Sequence, residues 1–216
     1  LVEIIKRSEG NKMTKIFAHR GASAYAPENT MEAFELAAKQ GAEGIELDVH
    51  VTKDGEVVVT HDEKIDRVSN GSGFIKDMTL RELKRLSFHN HMESYVGAGI
   101  PTLREVLEYV STTNMDVNIE LKTGIYWYPQ IEEKTAFIVQ ETGMHDRVIY
   151  SSFNHHSIAK IKEIDSTAET AWLFSDVILN VEQYAKANGV EGLHPAVYHM
   201  YMSDFMKRWN ESGEKV

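Results

Sequence analysis

The chain has 216 residues, of which 42% are hydrophobic and 26% are charged, and it contains no cysteine. This composition is typical of a globular domain and excludes a disordered or fibrous chain. The lack of cysteine excludes disulfides, thiolate metal sites and cysteine nucleophiles. The formal net charge of −10 argues against nucleic acid or an anionic membrane surface as the main partner. A small anionic substrate stays open, because a bound divalent cation reverses the local charge.

The N-terminal segment carries no targeting signal that we recognise. Residues 1–10 lack the basic start and long apolar centre of a signal peptide, and no apolar run approaches the roughly 18 residues that span a bilayer. We therefore expect a cytoplasmic protein. Met13 stands just before the first strand-like run, so we predict an N-terminal extension of unknown role over residues 1–12 and a single domain over residues 13–216.

Strand and helix patterns alternate along the chain. Short apolar runs predict seven strands, at residues 15–20, 44–49, 57–62, 117–122, 147–152, 169–174 and 190–194. Amphipathic helical patterns separate most of them. Repeated strand–helix units predict a parallel sheet covered by helices, and seven strands without a reversal favour a TIM (β/α)8 barrel. We expect the eighth strand to be missing from this chain, because the sequence stops at Gly213–Val216, where that strand should begin.

Two segments depart from this alternation. The tight turn at Lys53–Gly55 leaves too short a link between the second and third predicted strands for a helical crossover. Residues 63–100 are rich in Gly, Asn and His around one short helical pattern. We predict that this excursion forms a cap over one end of the barrel.

Ionisable residues recur at the carboxyl ends of the first four predicted strands, which in a barrel form the rim of the active site. These residues are His19, Arg20, Glu46, Asp48, His61, Asp62, Glu120 and Lys122. Side chains two residues apart on a strand point to the same face. Glu46 therefore shares a face with Asp48, and Glu120 shares a face with Lys122.

Three carboxylates in otherwise apolar strands suggest a metal site. Glu46, Asp48 and Glu120 are costly to bury unless a cation neutralises them. Oxygen ligands without cysteine indicate Ca²⁺ or Mg²⁺ before Zn²⁺. In the alternative interpretation each carboxylate only pairs with Arg20 or Lys122, or lies on an exposed strand edge. The alignment of the whole set on neighbouring strand ends favours one divalent cation.

His19 and His61 end neighbouring predicted strands, and two such histidines suit a general acid and a general base on opposite sides of one reacting group. His89 and His91 in the excursion could contact a substrate, and His194 ends the last predicted strand. Three other histidines are predicted on turns or outward-facing positions: His50, His145 and His156.

Several segments together resemble the signature of the glycerophosphodiester phosphodiesterase family. Their order and spacing hold from about residue 15 to residue 200. They are His19–Thr30, Gly44–Val49, Thr52–Gly55, Val59–Asp62, Ile100–Leu103 and Ile119–Lys122, with a weaker match at Tyr150–Phe153.

This resemblance implies a TIM barrel that hydrolyses glycerophosphodiesters, such as glycerophosphocholine and glycerophosphoethanolamine, to sn-glycerol 3-phosphate and an alcohol. It also implies a role for each rim residue. Glu46, Asp48 and Glu120 would hold one divalent cation. His19 and His61 would be the acid–base pair, and Arg20 and Lys122 would contact the substrate phosphate. The last strand and the closing segment of the family are absent from this sequence.

Other functions stay open at this stage. A lysophospholipase D-like or phosphoinositide phospholipase-like enzyme would share the barrel and the metal chemistry but act on lipid. A non-catalytic barrel module would bind a ligand without turnover. The run Tyr126–Tyr128 is either an aromatic wall for a choline-like head group or part of the packing.

Overall fold

A computed structural model describes residues 2–5, 14–202, 204–213 and 215 of the chain. Within the predicted extension at residues 1–12, only residues 2–5 lie in these ranges, and they form a strand. This strand pairs antiparallel with the first predicted strand at one edge of the sheet. The remaining residues of the extension lie outside the described residues.

One sheet runs through the molecule, and its strands follow one another in nearly the same order as in the sequence. The strands are β1 (Val2–Ile5), β2 (Lys15–His19), β3 (Gly44–Val51), β4 (Val57–Val59), β5 (Asp116–Leu121), β6 (Val148–Ser152), β7 (Glu169–Phe174) and β8 (Gly192–Pro195). Their order in the sheet is β1-β2-β3-β5-β6-β7-β8, with β4 paired to β3. Six of them, β2, β3 and β5 to β8, pair in parallel.

Helices follow the parallel strands and bury their apolar faces on the sheet. The helices are α1 (Met31–Lys39), α2 (Leu80–Leu83), α3 (Leu103–Ser111), α4 (Ile131–Glu141), α5 (His155–Ile164), α6 (Val181–Ala187) and α7 (Phe205–Ser212). On α3, for example, Leu103, Val106, Leu107 and Val110 recur at helical spacing, and all four are fully buried. None of the described helices has the length and apolar character needed to cross a membrane, and the cytoplasmic location stays a prediction.

The prediction of a parallel barrel strand over residues 57–62 is wrong. Only Val57–Val59 is extended, and it pairs antiparallel with the end of β3, Val49 lying opposite Val59. The physical reason is the short Lys53–Gly55 turn: it leaves room for a hairpin but not for the crossover that a parallel pair requires. The hairpin runs back along β3 until the Thr60 N–H donates to the Asp48 carbonyl at 3.0 Å, so His61 follows beside Asp48.

The predicted fold class is confirmed as a curled α/β sheet of the TIM-barrel type, with six parallel strands. Beside the last of them, Lys215 forms a parallel bridge with Gly192. The Leu193 N–H donates to the Lys215 carbonyl at 2.8 Å, and the Lys215 N–H donates to the Glu191 carbonyl at 2.9 Å. Among the described residues, six parallel strands stand where the sequence predicted seven, and beyond β8 this bridge extends the sheet.

The excursion at residues 63–100 has a small apolar core of its own. Its short helix α2 starts with a capping box, in which Thr79 and Glu82 satisfy each other's backbone N–H groups. The buried side chains of this core are Val58, Ile65, Val68, Ile75, Leu83, Phe88 and Ile100. The packing ties the excursion to β4 through Val58, close to the point where the hairpin delivers His61.

Candidate active site

The register of the parallel strands brings the predicted site residues together. His19 at the end of β2 lies opposite Glu46 of β3, and Asp48 of β3 lies opposite Glu120 of β5. Partners on adjacent strands are about 4.8 Å apart and point to the same face. Four of the seven predicted residues therefore share one patch at the carboxyl ends of three neighbouring strands.

The carboxylates of Glu46, Asp48 and Glu120 form a buried cluster in which one oxygen atom of each lies within 4.8 Å of the others. Burial, together with the neighbouring Glu120 charge, raises the pKa of Asp48 to about 6, although Lys122 opposes this shift. Asp48 Oδ1 has no hydrogen-bond partner among the described residues. This oxygen of Asp48 is therefore left for a cation to satisfy.

This donor set fits a hard divalent cation. Two oxygen ligands at about 2.3–2.6 Å from one Ca²⁺ can lie up to about 5 Å apart, and the three oxygens here span no more than 4.8 Å. All three ligand candidates are carboxylates on rigid strands, so the geometry is set by the sheet rather than by loops. The residues present thus fit a Ca²⁺- or Mg²⁺-type ion.

Lys122 follows β5 and lies between Glu120 of that strand and Asp48 of β3. Its Nζ donates to Glu120 Oε1 at 2.9 Å and lies 3.7 Å from Asp48 Oδ1. The same Nζ lies 3.3 Å from His61 Nε2. Burial alone would lower the pKa of Lys122, but Glu120 and Asp48 outweigh it and raise the pKa above its usual value. Lys122 therefore stays a cation between the acidic cluster and His61.

Arg20 is held in an unusual backbone conformation just after β2. Its φ of 57° lies in the left-handed region that non-glycine residues seldom adopt. Its backbone N–H donates to both the carbonyl oxygen and the carboxylate Oε2 of Glu46, at 3.0 and 2.9 Å. Its side chain lies 3.5 Å from Asp48 Oδ2 and donates to Glu28 Oε1 at 3.1 Å. The conformation directs the guanidinium group over the acidic cluster.

Two small features make this turn possible. Gly21 follows with a φ of 78°, and a Cβ there would stand 2.7 Å from the backbone of Ala33, so no side chain fits. Asn29 also has a positive φ, and its side-chain amide donates to Asp48 Oδ2 at 2.8 Å. Asn29 is a buried site residue that the sequence analysis did not single out, although it lies in the signature run His19–Thr30.

His61 and its neighbour form a second hydrogen-bonded arrangement. His61 Nδ1 lies 2.6 Å from Asp62 Oδ1, and because a carboxylate only accepts, Nδ1 carries the proton. Burial alone would raise the pKa of Asp62, but hydrogen bonds from Arg67 and His61 lower it to about 2. Asp62 is therefore ionised at neutral pH and holds His61 with Nε2 directed toward Lys122.

His19 lies in a different environment. Its Nε2 is 3.8 Å from Glu46 Oε2. Burial, the adjacent Arg20 charge and His61 lower the pKa of His19 to about 4. At neutral pH His19 is therefore an uncharged imidazole, whereas His61 sits beside a fixed carboxylate.

His50 contradicts its predicted outward position. It is fully buried, with Nε2 3.0 Å from the His61 carbonyl oxygen and Nδ1 2.8 Å from the Tyr128 hydroxyl. A carbonyl oxygen only accepts, so Nε2 must donate and Nδ1 must accept from Tyr128. Burial lowers the pKa of His50 to about 4, which keeps it neutral. The pattern misled because β3 continues past Asp48 into the hairpin, where His50 packs behind His61.

The aromatic run after β5 is divided between packing and surface. Tyr128 is buried and bonded to His50, whereas Trp127 is 70% exposed. Tyr126 packs its ring edge against Phe74 of the excursion. The run therefore forms no continuous aromatic wall, and only Trp127 presents most of its surface to solvent.

Comparison with known proteins connects this site to a family. Residues 19–216 match the Glycerophosphoryl diester phosphodiesterase family. A glycerophosphodiester phosphodiesterase of Caldanaerobacter subterraneus subsp. tengcongensis is 43% identical over 204 residues, which are 94% of this chain and 84% of that protein. A second, from Bacillus altitudinis, is 47% identical over 187 residues, 86% of this chain and 76% of that protein.

Solved structures agree with the sequence matches. A glycerophosphodiester phosphodiesterase from Agrobacterium tumefaciens superposes with a TM-score of 0.81 at 30% identity, covering 94% of this chain and 84% of that one. A phosphodiesterase from Oleispira antarctica, in complex with the product sn-glycerol-3-phosphate, superposes with a TM-score of 0.79 at 30% identity, covering 83% and 73%. The chain therefore belongs to the glycerophosphodiester phosphodiesterase family and is a phosphoric diester hydrolase.

Proposed function

We propose that this enzyme hydrolyses glycerophosphodiesters, with glycerophosphocholine and glycerophosphoethanolamine as representative substrates, to sn-glycerol 3-phosphate and an alcohol. The observation that carries the proposal is the buried cluster of Glu46, Asp48 and Glu120 beside two histidines with different charge environments. The Oleispira antarctica phosphodiesterase, solved with sn-glycerol-3-phosphate, supports the same product for this chain.

The acidic cluster would hold one divalent cation, Ca²⁺ or Mg²⁺. When bound, such an ion supplies Lewis-acid stabilisation of the negative charge that grows on the phosphoryl oxygens. Arg20 and Lys122 would bind the phosphate from the protein side. Arg20 Nε makes no hydrogen bond among the described residues and lies 3.5 Å from Asp48 Oδ2, so it would donate to a phosphate oxygen placed beside the acidic cluster.

The two histidines would take opposite roles. His19, with its pKa lowered to about 4, is neutral and would accept the proton of the attacking hydroxyl. The Nδ1–H of His61 is held by the ionised Asp62, and a protonated His61 would deliver a proton from Nε2 to the departing alkoxide. A carboxylate that holds Nδ1–H in this way stabilises an imidazolium, and a matched acid and base together lower the barrier on both sides of the phosphorus.

The attacking group in our hypothesis is the glycerol 2-hydroxyl. Its oxygen forms a bond to phosphorus while the bond to the head-group oxygen breaks, which releases the alcohol and leaves a cyclic phosphate. Water then opens the ring to give sn-glycerol 3-phosphate. A substrate that lacks the 2-hydroxyl should fail to turn over. Normal turnover of that substrate without a cyclic intermediate would replace this route with direct attack by water.

A second candidate is a lysophospholipase D-like or phosphoinositide phospholipase-like activity on lipid. One observation favours it: large apolar side chains are exposed in the loops that follow β6, β7 and β8. They include Phe153, Leu179 and Tyr201. Exposed apolar clusters near a site can receive an acyl chain. Turnover of lysophospholipid vesicles without turnover of soluble diesters would select this alternative.

The domain arrangement follows the same proposal. We infer one phosphodiesterase domain over residues 13–216, with residues 63–100 as a cap that packs its own apolar core beside the site. Residues 1–12 receive no catalytic role.

The direct test incubates the purified chain with glycerophosphocholine or glycerophosphoethanolamine in EDTA, Ca²⁺ or Mg²⁺, and follows sn-glycerol 3-phosphate by a coupled assay. Release that requires a divalent cation is the expected result. Equal release in EDTA would contradict the metal site. No release from a folded chain with any cation, together with release from lysophospholipid vesicles, would favour the lipid alternative.

A further inference from the structure

Arg67 of the excursion joins two carboxylates that come from different parts of the chain. Its Nη1 and Nη2 donate to the two oxygens of Glu28 at 2.9 and 2.8 Å. Its Nε and Nη2 donate to the two oxygens of Asp62 at 2.7 and 3.2 Å. The planar fork of the guanidinium group thus meets both carboxylates in a bidentate manner.

Each of these carboxylates also holds a residue of the candidate active site. Glu28 Oε1 accepts a hydrogen bond from Arg20 Nη1 at 3.1 Å, and Asp62 Oδ1 accepts one from His61 Nδ1 at 2.6 Å. A single carboxylate therefore separates Arg67 from Arg20, the group proposed to bind phosphate, and another separates it from His61, the group proposed to protonate the leaving alcohol. The side-chain hydrogen bonds of Arg67 among the described residues go to Glu28 and Asp62, and not to the acidic cluster or to His61.

We propose that Arg67 is a positioning residue that orients His61 through Asp62 and Arg20 through Glu28. The inference rests on the proposed function of His61 and Arg20. It adds that the excursion contributes to the reaction, because the excursion supplies the cation that sets both contacts.

The two contacts should affect different kinetic constants. Without Arg67, Asp62 loses the donors that fix its plane, so His61 Nδ1–H is no longer aligned and proton delivery to the leaving group slows. This lowers kcat. Glu28 loses its bidentate partner at the same time, so its charge draws the Arg20 guanidinium away from the phosphate. This raises KM.

If Arg67 had a purely structural role, its replacement would lower the Tm together with the activity. The side chain of Arg67 is 44% exposed, and those of Asp62 and Glu28 are 30% and 12% exposed. Ion pairs made by an arginine this exposed to solvent add little to stability. We therefore expect the Tm of an Arg67→Gln variant to stay close to that of the unchanged protein while its activity falls.

The test is a pair of double-mutant cycles on the full chain, with kcat and KM for glycerophosphocholine measured at saturating cation. Arg67→Gln is made alone, in an Asp62→Asn background and in a Glu28→Gln background. Alone, it should lower kcat by about 10- to 100-fold, the usual effect of losing a residue that orients a catalytic group. In the Asp62→Asn background kcat should hardly fall further, and in the Glu28→Gln background KM should hardly rise further.

Controls separate this proposal from loss of folding and from an error in the proposed function. Arg85→Gln, at an exposed arginine of the same excursion, should leave both constants unchanged, and Arg67→Lys should restore activity only in part. The proposal would be overturned if Arg67→Gln changed kcat by the same factor in the Asp62→Asn background as alone, and changed KM by the same factor in the Glu28→Gln background as alone. His61→Ala with near-normal kcat would instead overturn the acid–base assignment on which it rests.

Discussion

The carboxyl ends of the first three parallel strands differ sharply from those of the last three. Strands β2, β3 and β5 carry ionisable residues at or next to their carboxyl ends, and the register brings them to one patch. These residues are His19, Glu46, Asp48, Glu120 and Lys122. Strands β6 to β8 end in serines, an aromatic residue and His194, followed by loops with exposed apolar side chains such as Leu179 and Tyr201. One half of the rim therefore carries the chemistry.

This difference shows that strand geometry alone does not create a site. All six parallel strands offer similar positions at the same edge of the sheet, yet among the described residues the cluster of three buried carboxylates lies in the first half. The hairpin β3–β4 adds His61 to that half from a neighbouring loop. We therefore expect substitutions in the first half to affect turnover strongly and substitutions in the second half to affect it weakly.

The largest effect is expected from the histidines of the first half. His19→Ala or His61→Ala should lower kcat by roughly 10²- to 10⁴-fold, the usual contribution of one general acid or base. His156→Ala, at an exposed histidine after β6, is the matched control and should be close to unchanged. Near-normal turnover by both site variants would show that the proton transfers are performed elsewhere.

The next effect concerns the acidic cluster. Glu46→Gln keeps the shape of the side chain but removes one ligand charge, so the cation concentration that gives half-maximal activity should rise at least about tenfold. Excess cation should restore part of the activity. Glu35→Gln, on the half-exposed face of α1, is the control and should leave the cation response unchanged. A response to Glu46→Gln that excess cation never improves would argue against a ligand role.

A smaller effect should appear in stability rather than turnover. The pKa of His50 is about 4 in the folded protein and about 6.5 in an unfolded chain. Between these values the unfolded chain binds more protons, so the contribution of neutral His50 is complete above about pH 6.5 and is lost as the pH falls toward 4. The whole change amounts to roughly 3 kcal/mol in the free energy of unfolding.

The measurement compares denaturant unfolding at neutral and at mildly acidic pH. His50→Gln should flatten the loss of stability on acidification relative to the unchanged protein. Tyr128→Phe removes the same Tyr128–His50 hydrogen bond but keeps the titrating ring, so its pH response should stay steep. Equal pH responses in all three proteins would show that His50 is not held neutral by burial.

The smallest effect is expected in the second half of the rim. Leu179→Ser and Tyr201→Ser alter two highly exposed side chains, and with a soluble diester both should keep kcat/KM within about twofold, as for most surface changes away from a site. A large loss with glycerophosphocholine would break the contrast between the two halves. A loss confined to lysophospholipid would indicate that these residues receive an acyl chain.

Much of this site could be predicted from the sequence, because the site residues recur at regular two-residue spacing on the predicted strands. Glu46 and Asp48 are two residues apart on one strand, and Glu120 and Lys122 are two apart on another, so their shared faces followed from strand geometry. The strand–helix alternation predicted the barrel class for the same reason. These features depend on local spacing, which is readable along a chain.

The features that escaped prediction depend on contacts between distant segments. The short Lys53–Gly55 link already excluded a helical crossover, but the antiparallel pairing of β4 with β3 is visible only in the folded chain. The burial of His50 required knowing that Tyr128 closes over it. Arg67 looked like one of many polar residues in the excursion, and only the folded chain places it between Glu28 and Asp62.

The most direct test of the central claim is a calorimetric titration of Ca²⁺ or Mg²⁺ into the metal-free protein and into its His61→Ala and Glu46→Gln variants. If the first half of the rim holds a cation cluster and a separate acid–base pair, the unchanged protein and His61→Ala should bind one ion with the same affinity. Glu46→Gln should bind it more weakly. Absence of binding to the unchanged protein, or equal affinity in all three, would contradict the account.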